Sequence, residues 1–170
     1  MSGIIRKATP EDCPRIAEIH VFGWRSAYID FIPPDHLFNK MTVKKREAKF
    51  MEYFNDEKTA GIMYVYESDK IIKAFMTIGD CRDDDKDEYA FELQGIYVDP
   101  FFQRRHIGTE LVEFCIREGI NRNKKEIVLW VFEKNRNSIE FYKKMGFAPD
   151  GKIMNKDPFN ENAIRLSLKI

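Results

Sequence analysis

Two arginines in front of a helix-like segment are the first residues of this sequence that could do chemistry. Gln103, Arg104 and Arg105 stand directly before an amphipathic stretch that begins near Ile107, and Gly108 falls in its first turn. The unpaired amides of a helix N-terminus carry partial positive charge and bind anions. A glycine there lets a phosphate approach the backbone, because no Cβ is in the way. Two guanidinium groups beside such amides suit a pyrophosphate better than a single carboxylate.

A second segment further along the chain places an asparagine and a tyrosine after an apolar run. Ile127–Phe132 is almost continuously apolar, which is typical of a buried central strand. Asn135 follows this run, and Ile139–Met145 has the spacing of a short helix that carries Tyr142. Gly146 then stands where a residue in the left-handed conformation favours the end of a helix.

The two segments together resemble the GNAT superfamily of acyl-CoA-dependent N-acetyltransferases. The family's cofactor motif, Q/R-x-x-G-x-G/A, stands here as Gln103–Gly108, with His106 in place of its first glycine. Its second motif, a strand, an asparagine and a short helix that ends in Tyr-x-x-x-Gly-Phe, stands as Asn135 and Tyr142–Phe147. The resemblance is clear over residues 60–150 and holds only in outline before them. It implies that the chain is an enzyme, an N-acetyltransferase.

The histidine in the cofactor motif is the one departure from the family pattern. The backbone amide of His106 survives the replacement, so the anion-binding loop can persist if this residue keeps a negative φ. Its side chain would either crowd the pyrophosphate or contact it.

The resemblance implies that acetyl-CoA is the acetyl donor and that no metal takes part. Pantetheine would pair with the backbone of the strand before the loop, at Ile96, Tyr97 and Val98, with an amide near Tyr97 or Val98 facing the thioester oxygen. The residues that would hold the pyrophosphate are Gln103, Arg104, Arg105, His106, Ile107, Gly108 and Thr109. Asn135 would bind the cofactor arm, unless it is only a turn or cap residue.

Two side chains are the catalytic candidates that the resemblance implies. Acyl transfer needs a neutral amine, a stabiliser for the oxyanion and an acid for the departing thiolate. Tyr142 would protonate the thiolate, and Glu92 would accept the amine proton through water. The structural alternatives are that Tyr142 only packs beside Phe141 and Phe147, and that Glu92 is a solvent-facing strand residue.

The acceptor implied by the resemblance is the primary amine of a small molecule, with a polyamine-like amine as one option. The acids of the tract Asp83–Glu88 would suit a cationic acceptor, although a solvated hairpin tip is the simpler interpretation. Trp24 and Tyr28 would line the acceptor pocket or serve only in packing, and His20 is expected at the edge of the core. A non-catalytic acyl-CoA-binding regulatory module and acetylation of a protein N-terminus are the alternative functions.

The elements that must position these residues alternate between strands and helices. Apolar patterns predict strands over Ile4–Lys7, Ile62–Glu67, Ile71–Ile78, Ala90–Val98, Ile127–Phe132 and Ala163–Ile170. Helices are predicted after Thr9-Pro10, over Leu37–Phe54, from Ile107 to Ile120 and over Ile139–Met145. The expected fold is a single α/β domain over residues 1–170, GNAT-like, with a mixed, mostly antiparallel central sheet of about six to seven strands and about four flanking helices.

Composition limits the partners and the compartment. Lys plus Arg equals Asp plus Glu, 28 against 28, which disfavours general binding of nucleic acids. The three cysteines form no C-x-x-C pair, so we expect no zinc site. No apolar run approaches the ~20 residues that span a bilayer, and neither a membrane partner nor a signal peptide is expected. The predicted setting is cytoplasmic. The apolar C-terminal strand could lie at the contact of a homodimer. A buried edge within one chain explains its pattern equally well.

Overall fold

The computed structural model describes residues 3–56 and 62–170, and its strands form one seven-stranded mixed sheet. The strands are β1 (Ile4–Lys7), β2 (Met63–Ser68), β3 (Ile71–Asp80), β4 (Ala90–Val98), β5 (Glu126–Phe132), β6 (Ala148–Lys156) and β7 (Glu161–Lys169). Their order in the sheet is β1-β2-β3-β4-β5-β7-β6. Strands β4 and β5 are parallel, whereas the β1–β2, β2–β3, β5–β7 and β6–β7 pairs are antiparallel. The predicted α/β fold with a mostly antiparallel sheet is confirmed.

Four α-helices accompany the sheet in the described part of the chain. They are α1 (Cys13–Tyr28), α2 (Val43–Asn55), α3 (Ile107–Asn121) and α4 (Arg136–Lys144). The helix predicted over Leu37–Phe54 is divided, because a separate wide helical turn covers Asp35–Lys40. Thr42 is extended, and its side chain accepts a hydrogen bond from the Lys45 amide at 3.4 Å. This cap gives α2 its own start. Across the described residues, no helix is both long and apolar enough to cross a membrane.

The chain divides into two compact units that alternate along the sequence. The first comprises the described residues up to Thr77 together with Ile96–Leu111, and the second comprises Ile78–Gly95 with Val112–Ile170. Fully buried apolar side chains fill the first unit, among them Ile16, Ile19, Val65 and Phe75. Those of the second unit include Phe91, Ile127, Leu129 and Leu166. Burying each such side chain stabilises the fold by about 1.5–3 kcal/mol before cavity and entropy terms.

Strand β4 carries predicted site residues near both of its ends. Its parallel ladder with β5 joins Ala90–Glu92 to Glu126–Val128 in the described register, and both strands continue beyond this ladder. Glu92 therefore lies at the last ladder position, and Ile96–Val98 form the C-terminal end of the strand.

Candidate functional site

A buried aspartate fixes the point where the chain leaves β4 and enters the loop before α3. The Asp99 amide donates to the Lys73 carbonyl at 2.9 Å, and one carboxylate oxygen accepts from the Phe101 amide at 2.9 Å. The other carboxylate oxygen pairs with the guanidinium of Arg15 on α1. Because Asp99 is buried and fully bonded, it sets the direction in which the loop begins. The predicted strand ends at Val98, and no motif in the sequence marks Asp99 as a positioning residue.

The loop itself contains two non-glycine residues in the left-handed conformation. Arg104 has a φ of 60° and His106 a φ of 63°. His106 therefore does not have the negative φ that the sequence analysis states as a condition for the anion-binding loop. Positive φ is the region that glycine adopts without a Cβ penalty, and the family has glycine at this position. His106 thus follows the backbone path of a glycine and bears the steric cost of its side chain.

The side chains of this loop suit an anion. Gln103, Arg104, Arg105 and His106 are all exposed. Among the described residues, neither Arg104 nor Arg105 forms an ion pair with a carboxylate, and the Arg105 guanidinium lies 5.5 Å from the centroid of the Phe102 ring. Both positive charges can therefore meet a phosphate.

The backbone at the start of α3 completes this anion-binding loop. Ile107 is buried, so its side chain faces the core and only its amide can take part, whereas Gly108 and Thr109 are partly exposed. The amides of a first helical turn have no intrahelical acceptor. Helix amides together with two unpaired guanidinium groups fit the pyrophosphate of a nucleotide cofactor.

The end of β4 is fixed by side chains of the first unit. The Tyr97 ring stacks on Phe75 with 5.0 Å between centroids, and its hydroxyl accepts from Trp24 Nε1 at 3.3 Å. Burial raises the pKa of the Tyr97 phenol, although the Trp24 hydrogen bond opposes that rise. The side-chain nitrogen Nε2 of Gln103 donates a hydrogen bond to the Val98 carbonyl at 3.3 Å. These contacts position the backbone of Ile96–Val98, which the family resemblance assigns to pantetheine.

Tyr142 lies on α4 in the second unit and is held by aromatic neighbours. Its ring centroid is 5.2 Å from that of Phe141 and 5.8 Å from that of Phe147. Gly146 has a φ of 93°, as predicted, and the turn there lets the Phe147 amide donate to the Tyr142 carbonyl at 3.0 Å. Aromatic packing is thus present around Tyr142, and its part in the chemistry stays a prediction.

Glu92 is buried, at 3% exposure, and an arginine of the second unit binds it. Arg82 Nε and Nη2 donate to the two carboxylate oxygens at 2.8 and 2.6 Å, and the Arg82 amide adds a third bond at 3.2 Å. Glu92 is therefore not the solvent-facing strand residue of the structural alternative. All three of these donors belong to Arg82. No motif pointed to Arg82.

Asn135 and the acidic tract both make structural contacts in the second unit. The Asn135 side chain caps α4 by accepting from the Ser138 amide at 3.2 Å. Asp83 and Asp85 bind the buried guanidinium of Arg165 at 2.9 and 2.7 Å. Two carboxylates of the tract are thus already paired with a cation. No group of three or more potential metal ligands occurs among the described residues.

Comparison with known proteins adds an independent line of evidence. A family model described as the acetyltransferase (GNAT) family matches residues 24–147. The uncharacterized N-acetyltransferase YuaI of Bacillus subtilis is 29% identical over 166 residues, which cover 95% of this chain and 87% of that protein. The PaiA N-acetyltransferase of Thermoplasma acidophilum in complex with coenzyme A has a TM-score of 0.78 at 19% identity, covering 100% of both chains. The yncA acetyltransferase of Salmonella typhimurium, solved with acetyl-CoA, has a TM-score of 0.70 at 20% identity, covering 99% of this chain and 94% of that one.

Proposed function

We propose that this chain, which belongs to the acetyltransferase (GNAT) family, moves an acetyl group from acetyl-CoA to the primary amine of a small molecule. The observation that carries the proposal is the anion-binding loop at Arg104–Thr109. There two arginines that form no ion pair within the described part of the chain adjoin the first amides of α3. Two solved proteins of similar fold bind coenzyme A or acetyl-CoA, which supports the same ligand here.

The reaction forms two bonds and breaks two. The amine nitrogen bonds to the thioester carbonyl carbon, the carbon–sulfur bond breaks, the nitrogen loses a proton and the sulfur gains one. In the proposed division of roles, Tyr142 donates the proton to sulfur, and an amide near Tyr97 or Val98 stabilises the oxyanion. Glu92 accepts the amine proton through water once Arg82 releases its carboxylate. Ile96–Val98 hold pantetheine and residues 103–109 hold the pyrophosphate. Asn135 binds the cofactor arm through its side-chain nitrogen, because its side-chain oxygen caps α4.

The first test of the proposal is a calorimetric titration with acetyl-CoA, CoA and ATP. We expect both CoA forms to bind with a Kd near the micromolar range, about −8 kcal/mol, and ATP to bind much more weakly. Replacing Arg104 and Arg105 with Gln should weaken CoA binding at least tenfold. Replacing Lys44 and Lys45 with Gln is the matched control, because these exposed lysines lie on α2. Absence of CoA binding by the unchanged protein would refute the proposed function.

The variant Tyr142→Phe separates catalysis from binding. It keeps the aromatic ring, so packing against Phe141 and Phe147 should persist, and CoA affinity should stay the same. Loss of the proton donor should lower kcat by roughly 100-fold, at the lower end of general-acid effects. The measurement is thiol release with a panel of primary amines. If the unchanged protein binds CoA but acetylates no amine, the regulatory-module alternative gains support instead.

A further inference from the structure

A buried histidine in the first unit has an unsatisfied ring nitrogen. His20 on α1 is only 7% exposed, and its Nδ1 has no hydrogen-bond partner among the described residues. Its ring centroid lies 4.7 Å from Tyr97, 5.7 Å from Trp24, 5.7 Å from Phe50 and 6.3 Å from Phe75. Buried polar atoms are normally bonded, and an unbonded one destabilises the fold. Such an atom is a candidate for binding a ligand.

The aromatic cluster around His20 extends from the core to the surface. Phe75 is fully buried, whereas Trp24, Tyr28 and Tyr97 are partly exposed. The Trp24 and Tyr28 rings meet edge to face at 4.8 Å, and Trp24 Nε1 donates to the Tyr97 hydroxyl. Trp24, Tyr28 and Tyr97 therefore form the side of the cluster that solvent reaches, and these ring contacts fix their orientation.

An arginine on α2 lies beside the same cluster. Arg46 is one helical turn before Phe50, so the two residues share a helix face, and Phe50 packs on His20. Arg46 is partly buried, and burial lowers the pKa of its guanidinium. Its guanidinium forms no ion pair or hydrogen bond with any residue that the structure describes. Burial, followed by the charge of Arg46, lowers the pKa of His20 to about 3. His20 is therefore neutral at physiological pH and can accept a hydrogen bond.

We propose that this cluster binds an amino-acid-like acceptor, with Arg46 pairing to its carboxylate and His20 Nδ1 accepting a hydrogen bond from its amine. The inference rests on the proposed function and names the acceptor class. One ligand of this kind satisfies both groups, neither of which has a partner among residues 3–56 and 62–170, and the aromatic rings suit an apolar side chain. The positive charge of Arg46 repels a polyamine. Tyr97 joins the cluster to the strand proposed to hold pantetheine, because it lies between Ile96 and Val98.

The test uses acceptors matched in everything except charge. Leucine, phenylalanine and methionine are each compared with their carboxamide, and spermidine is included. We expect at least one amino acid to have a KM at least tenfold lower than that of its carboxamide. Arg46→Gln should abolish this preference, and Lys45→Gln, an exposed neighbour on the same helix, should keep it. A preference for spermidine or the carboxamides, or an unchanged preference in Arg46→Gln, would overturn the inference.

His20→Phe tests the second contact, because it keeps an aromatic ring and removes the unsatisfied nitrogen. We expect the melting temperature to rise, CoA affinity to stay unchanged and the KM for the amino acid to rise several-fold. A higher melting temperature with an unchanged KM would show that His20 is only a packing residue, and would overturn its role. Thermal-shift titration of the amino acids without acetyl-CoA gives an independent readout. Failure of CoA binding refutes the proposed function, whereas loss of the carboxylate preference alone refutes only this inference.

Discussion

The imidazole of His106 stands in the anion-binding loop on a backbone that favours glycine. Its φ of 63° puts the Cβ close to the following carbonyl, which costs roughly 1–2 kcal/mol. His106→Gly removes this strain but increases the conformational entropy of the unfolded chain. We therefore expect a net gain in the free energy of unfolding of about 0.5–1 kcal/mol. Denaturant unfolding measures it.

CoA titration of the same variant shows whether the imidazole also binds the cofactor. An unchanged Kd in His106→Gly means that the side chain only tolerates the loop, and a weaker Kd means that it contacts a phosphate. Asn123→Gly is the control, because Asn123 has a similar φ of 57° and lies after α3 rather than in the loop. It should change stability by a few tenths of a kcal/mol, since asparagine tolerates this conformation, and leave the Kd alone.

The Arg82–Glu92 pair sets a condition on the proposed base. Arg82→Met removes both side-chain donors from the buried carboxylate and leaves it only the backbone amide of residue 82. We expect a loss of about 1–2 kcal/mol of stability, because the arginine side chain is largely exposed. Glu92→Gln with Arg82→Met should recover most of that loss, which a double-mutant cycle in denaturant measures. Additive losses would contradict the pairing. In activity assays Glu92→Gln alone should lower kcat more than it raises the KM for acetyl-CoA.

At the scale of single residues, the sequence predicts local chemistry well and long-range partners poorly. The loop arginines and the glycine at the end of α4 follow from spacing, because neighbours in sequence define their environment. Arg82 binds Glu92 from the loop before β4, ten residues away, and Arg46 lies beside the His20 cluster on a different helix. Such pairings depend on how elements pack, and no periodicity in the sequence encodes them.

At the scale of elements, a buried arginine fastens the loop between β3 and β4 to the C-terminal strands. Arg165 on β7 is 3% exposed and binds Asp83 and Asp85 of that loop and Asp150 on β6. Arg165→Met should lower the free energy of unfolding by about 3 kcal/mol, because it leaves carboxylates without their cation. Lys152→Met is the control, since exposed Lys152 lies 3.4 Å from Asp85 and should contribute less than about 0.5 kcal/mol.

The difference in stability between the unchanged protein and Arg165→Met should depend on pH, and its direction follows from the pKa of Asp85. Hydrogen bonds from Arg165 hold the pKa of Asp85 below its ordinary value of 3.8. A lowered pKa stabilises the fold at pH values above the ordinary value, and this contribution is lost as the pH falls through the folded-state pKa. The advantage of the unchanged protein over Arg165→Met should therefore be largest near neutral pH and shrink below about pH 4. Urea unfolding across this range measures it, and a difference that grows in acid would contradict the assignment.

Elements whose apolar residues follow a regular period are predictable from the sequence, and those without such a period are not. The bounds of β4 match the prediction, and those of α3 differ by one residue, because their apolar residues follow the expected periods. Strand β6 was missed, since eight of its nine residues are exposed and no alternation marks it. Its register shifts between Pro149 and Ile153, around Gly151 with a φ of 91°. The pairing with β7, rather than its own pattern, defines this strand.

At the scale of the whole molecule, the balance of charge decides how the cofactor is attracted. The chain has 28 basic and 28 acidic residues, so its net field steers anions weakly and local charges must do so. The exposed local cations of the anion-binding loop are Arg104 and Arg105. Coenzyme A carries a pyrophosphate and a ribose phosphate, and salt screens charges over about 10 Å at 0.1 M.

Because the net charge is balanced, we expect the salt dependence of CoA binding to come from the anion-binding loop. Raising ionic strength from about 20 mM to about 300 mM should increase the Kd for CoA several-fold, because exposed pairs are screened over such distances. Replacing Arg104 and Arg105 with Gln should flatten the dependence, whereas replacing Lys44 and Lys45 with Gln should keep its slope. Both double variants remove two positive charges, so they separate a local effect from net charge. If the lysine variant flattened the dependence equally, the cofactor would respond to the field of the whole molecule, and the two loop arginines would lose their assigned role in binding the pyrophosphate.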